Sequence, residues 1–94
     1  MELGKVRGQV VSTVRDPGVP HVTLLLVDLV NAEGDVIRPA QVAADTLGAG
    51  EGELVLLVRG SSARFTMNER PPLDLSVIGI IDQISAQGEM IYNK

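Results

Sequence analysis

The 94-residue chain contains no cysteine and no tryptophan, and only one phenylalanine, one tyrosine and one histidine. Without thiols there is no disulfide framework and no thiolate chemistry, whether metal-binding, redox or nucleophilic. With His21 as the sole imidazole, neither a nucleophile–base pair nor a histidine-rich metal site has much to draw on. No apolar stretch approaches the roughly 20 residues of a spanning helix, and Met1-Glu2-Leu3-Gly4-Lys5 lacks the pattern of a signal peptide, so a soluble cytosolic protein is expected. Basic residues are also scarce. Twelve acidic against eight basic side chains give a net charge of −4, which repels a phosphate backbone and exerts no pull towards anionic lipid. Nucleic acid and membrane are therefore disfavoured as partners.

Aliphatic side chains dominate what is present. Thirteen Val, eleven Leu and six Ile account for most of the 45% hydrophobic content, a composition that favours strands. The length suits one domain, residues 1–94. Lys5 to Arg15 alternates apolar and polar residues, as a half-buried strand does. Asp16-Pro17-Gly18-Val19-Pro20 breaks it into a loop with His21 at its exit. Val22 to Val30 and Val36 to Ala44 form two further strands around a hairpin loop, Asn31 to Asp35, in which Gly34 is free to take positive φ. Pro39 marks an edge or a bulge. Glu53 to Arg59, Val77 to Ile84 and Met90 to Tyr92 complete the strands, and Gly60 to Pro72 has room for one short helical turn capped by Ser61 or Ser62. Strands at this spacing, joined by Gly and Pro turns, predict a small closed β-barrel.

Two segments, Leu24 to Val27 and Leu54 to Val58, are apolar on both faces, whereas a small barrel has a single interior. Leu24, Leu26 and Leu57 are accordingly expected on the outside as interface residues, because apolar surface left in water is worth about 25 cal/mol per Å² once covered by a second copy of the chain. Homo-oligomerisation is the economical reading, the alternative being that these runs are central strands covered by other parts of the same chain.

The motifs with chemical overtones have simpler explanations. Gly48-Ala49-Gly50-Glu51-Gly52 has the backbone freedom of a phosphate-binding loop but leads into a strand instead of a helix, and Glu51 repels an anion; a tight turn or a close approach between subunits suits it better. Ser61 and Ser62 lack an adjacent base. His21 has no companions for a zinc site, and the acidic residues are scattered, so no catalytic residue, metal or cofactor is assigned. Arg64 offers a donor fork suited to a carboxylate across an interface, and Asp82, in the middle of an apolar run, needs either water or a cation such as Arg64.

Five stretches occur in order along the chain: Leu3-Gly4-Lys5-Val6 with Gly8 and Val10-Val11; Leu24-Leu25-Leu26-Val27; Asp45 to Gly50; Val58-Arg59-Gly60-Ser61-Ser62-Ala63-Arg64; and Val77 to Asp82. Together they resemble the EutN/CcmL family of bacterial microcompartment vertex proteins. The resemblance implies an all-β, OB-like barrel with one short helix that assembles as a cyclic homopentamer. It further implies a non-enzymatic role, closing the vertices of a cytoplasmic polyhedral shell beside hexameric shell proteins. It places Gly48, Ala49 and Gly50, and Gly60, Ser61, Ser62, Ala63 and Arg64, near subunit contacts and the central axis. The chain departs from the family at Pro20-His21-Val22-Thr23, where relatives often carry a basic residue. The competing readings from other classes are an OB-type module binding single-stranded nucleic acid or a small ligand, and an enzyme or metabolite sensor using the Gly48 to Gly52 loop. Against the nucleic-acid version, Phe65 and Tyr92 are the only aromatics.

Overall fold

Alternation in the first residues produces β1 (Glu2–Val10), which pairs antiparallel with β2 (Thr23–Val30) and with β4 (Leu54–Arg59). The structure, a computed structural model, describes residues 1–19, 21–60 and 73–94. The remaining strands are β3 (Val36–Asp45), β5 (Leu75–Ile80), β6 (Gln83–Ala86) and β7 (Glu89–Asn93). Five of the seven close into a barrel in the order β1-β2-β3-β5-β4. Four of its contacts are antiparallel. The fifth, the seam between β3 and β5, is parallel and short, running through Ala44 opposite Ser76 and Asp45 opposite Val77.

The first strand ends five residues before the alternation does. Val10 pairs with Leu24 and β2 begins at Thr23, so the ladder ends there; Val11 and Val14 are left 77% and 88% exposed, while Arg15 donates to the Ser12 and Val22 carbonyls at 3.1 Å each. Asp16 then turns the chain, its carboxylate accepting the Gly18 amide at 2.8 Å. On β1 the register steps at Arg7, between Val6 opposite Val27 and Gly8 opposite Leu26. An extra residue of this kind reverses which side faces in, so Val6 is in the core while Gly8 and Val10 share the outer side with Leu26 and Leu24. Pro39 lies in a bulge as its chemistry requires. Two residues, Pro39 and Ala40, stand opposite Asp28 alone, Ala40 takes a φ of 57°, and its amide is held by Asp28 Oδ1 at 3.0 Å.

The interior is a single aliphatic cluster: Val6, Leu25, Val27, Leu29, Ala43, Val55, Leu57, Leu75 and Val77. Leu57 is therefore not an outer interface residue. It is fully buried, with Val55, and the outward, half-buried members of that segment are Leu56 and Val58. It packs so closely on β1 that a Cβ added to Gly4 would lie 2.6 Å from Leu57 Cδ1, which is why glycine stands there. Leu24 and Leu26 are half-buried and lie on the outside as expected.

The last apolar run is not one strand from Val77 to Ile84. β5 stops at Ile80, Ile81 donates its amide to the Leu54 carbonyl at 2.9 Å, and the chain leaves the barrel. Among the described residues β6 and β7 then pair only with each other, across a Gln87-Gly88 turn whose two positive φ angles, 53° and 78°, match the tightest hairpin type. The short helix expected between Gly60 and Pro72 lies outside the described residues; among those described every regular element is a strand.

Candidate assembly surfaces

The glycine-rich loop after β3 is organised by the residue before it. Asp45 is buried, 4% exposed, at the end of β3. Its Oδ1 accepts the Leu47 amide at 2.9 Å, and Oδ2 accepts those of Gly48 and Ala49 at 3.2 and 2.8 Å. Consecutive amides converging on an anion are the feature that makes such loops bind phosphate. Here the anion is the chain's own carboxylate, and the cradle is full. Gly48 supplies the positive φ, 87°, that the turn needs.

The second half of the loop is tied to β1 and to the C-terminus. Val6 donates to the Glu53 carbonyl and Gly52 to the Val6 carbonyl, at 2.9 and 2.8 Å. Glu53 accepts the Gly50 amide at 2.6 Å and an ion-pair hydrogen bond from Lys94. The Lys94 ammonium, reinforced by the Gly50 amide, holds the Glu53 carboxyl below its ordinary value, and the same contact raises Lys94 above its own. The loop therefore owes its shape to contacts within one chain.

The glycine positions singled out in the sequence are not brought together. Gly48 and Gly50 are exposed beyond the start of β4, with Ala49 half-buried against the core, whereas Gly60 follows its far end, with a φ of 72° and its amide on the Asp74 carbonyl at 2.8 Å. The six residues of β4 separate them. Ser61, Ser62, Ala63 and Arg64 lie outside the described residues. Asp82 is exposed, and its carbonyl accepts the Lys94 amide at 2.9 Å. His21 is exposed beside an open cleft of about 540 Å³ that also touches Gln9, Thr46 and Gly48. Among the described residues no three His, Asp or Glu side chains converge on a common point.

Two residues with structural weight were not singled out from the sequence. Asp45 was visible only as the first letter of a glycine motif, although an aspartate two to four residues before small-residue amides is the signal for such a turn. Arg59 closes β4, donates to Glu2 Oε2 at 3.0 Å, and has its Nη2 buried without an acceptor among the described residues.

Part of the exposed surface is apolar. Outside the barrel, Gly8, Leu26 and Val42 form one cross-strand row and Val10 and Leu24 begin the next; Val42 is 46% exposed. On the hairpin, Met90 and Ile91 are 54% and 36% exposed. Among the described residues, this arrangement brings no three His, Asp or Glu side chains together. What it offers is contact.

Comparison with known proteins agrees. The family model described as ethanolamine utilisation protein EutN/carboxysome matches residues 1–82. The bacterial microcompartment shell vertex protein EutN of Salmonella typhimurium is 47% identical over 95 aligned positions, covering 100% of this chain and 96% of that protein. The structure of Gloeobacter violaceus CcmL superposes with a TM-score of 0.93 at 42% identity, covering 100% of this chain and 98% of the other. The GrpN pentameric microcompartment shell protein of Rhodospirillum rubrum gives a TM-score of 0.82 at 38% identity, covering 92% and 99%.

Proposed function

The chain belongs to the EutN/CcmL family, and from that premise we propose a purely geometric role for it: it is a structural protein, not an enzyme, that assembles as a cyclic homopentamer and caps the vertices of a bacterial microcompartment shell. A flat layer of six-fold tiles does not close on itself. Five-fold units inserted in such a layer introduce the curvature that turns it into a polyhedron, and a head-to-tail ring of one repeated interface is the simplest way to make them. Hexameric shell proteins are the neighbours this role calls for.

The observation that carries the reading is the correspondence of the whole chain, barrel and terminal hairpin together, with proteins that occupy shell vertices. The uncovered apolar faces support it, since a ring of copies hides what one copy leaves wet. Native mass spectrometry is the direct test. The expected species has five times the 10.0 kDa mass of the chain, and a stable monomer at micromolar concentration overturns the reading. Co-expression with hexameric shell proteins tests the neighbours: closed particles should form with this chain present, and open sheets or tubes without it.

A further inference from the structure

A ring can be built through many pairs of surfaces, and, resting on the ring reading above, we propose that the β6–β7 hairpin of each subunit lies over the outer face of β2, at Leu24 and Leu26, in the next subunit. A head-to-tail interface joins two different patches of the same chain, so the subunit must carry a pair that fit each other and do not meet within one copy.

The hairpin is one such patch. It pairs with no barrel strand and presents Met90 and Ile91 to solvent. A two-stranded ribbon without a covering surface is marginal in water. The β2 face is the other. Leu26 stands between Gly8 and Val42 across the sheet, Leu24 lies beside Val10, and Gly8 leaves open space where a side chain would stand, so the row is a shallow apolar dip.

Topology keeps the two apart within a subunit. In the closed order β1-β2-β3-β5-β4, β2 lies across the barrel from the β4–β5 pair, and the hairpin leaves from the end of β5. Both of its ends are pinned on that side, Ile81 to Leu54 in β4 and Lys94 to Glu53 just before it. The hairpin thus starts and ends on the side of the barrel opposite its own β2. Charge favours the same pairing between copies. Lys5 is exposed on β1 beside the β2 face, where Arg7 is paired with Asp28 of the same subunit at 3.4 Å, and Glu89 is exposed beside Met90 on the hairpin.

Because the natural chain has no cysteine, the contact is testable by cross-linking the full chain. The variant carrying both Leu26→Cys and Met90→Cys, mildly oxidised, should give a covalent ladder up to the five-subunit band on a non-reducing gel. A mixture of the two single variants should give covalent dimers and nothing larger. Wild-type pentamer together with a double variant that stays uncross-linked, or that closes a disulfide within one chain, overturns the hairpin placement and leaves the ring intact. A monomeric wild type instead overturns the ring itself. As a second arm, Met90→Asp should weaken ring association roughly tenfold or more while the barrel's circular dichroism is unchanged; association equal to wild type counts against the placement.

Discussion

The barrel and the terminal hairpin are made of similar residues and have opposite fates in a single chain. In the barrel, Val27, Val55 and Leu57 reach complete burial within one copy, and every strand has a partner on both sides for at least part of its length. In the hairpin, five residues of β7 include Met90, Ile91 and Tyr92, yet none of the three is buried. Hydrophobicity alone does not decide what is core. Closure does: five strands wrapped on themselves have an inside, and two strands do not. The chain is thus a self-sufficient unit joined to one that needs company, and that asymmetry suits a subunit which must fold before it assembles.

The contrast is sharpest at Leu57. Leu57→Ala opens a cavity in the middle of the barrel and is expected to lower unfolding stability by about 2–5 kcal/mol, measured by urea denaturation at fixed protein concentration. A loss as small as that from an outer-face substitution would break the distinction between inside and outside. Asp45→Ala comes next. It strips the acceptor from the Leu47, Gly48 and Ala49 amides, and an expected loss of about 1–3 kcal/mol, partly recovered in Asp45→Asn, is read from thermal melts. The smallest effect falls on the tie between hairpin and barrel. With its carboxyl held below 4.5 by Lys94, Glu53 contributes stability that is present above pH 4.5 and lost as pH falls through its lowered value. Lys94→Ala should therefore move the Glu53 titration upwards in carbon-detected NMR and shrink that acid-side loss. The raised Lys94 acts in the opposite sense, stabilising below pH 10.5 and losing its contribution as pH rises through the higher value.

Much of this architecture could be inferred from the order of residues. The turn at Asn31 to Asp35 forms as expected, with Gly34 at φ 93° and Asn31 accepting the Asp35 amide at 2.9 Å. Pro39 sits in a bulge, and the barrel closes. The errors share a cause, which is that a strand's limits and its inner face depend on its partner. Val11 to Arg15 alternates correctly but β2 is too short to pair with it. Leu56 and Leu57 are equally apolar, and only the barrel's closure sends Leu57 inward. Ile80 and Ile81 look continuous until the Ile81 amide is claimed by Leu54. The outer apolar face was legible to the same degree. Leu24 and Leu26 are where the two-faced pattern puts them, whereas the role of Asp45 is a matter of three amides aligning on one carboxylate, which spacing alone does not display.

That carboxylate has a consequence for life inside a crowded cytoplasm. A phosphorylated metabolite seeking the same amides would have to evict a competitor tethered to the neighbouring backbone, whose effective concentration far exceeds that of a free solute. The loop therefore keeps its outline whether phosphate esters around it are abundant or scarce.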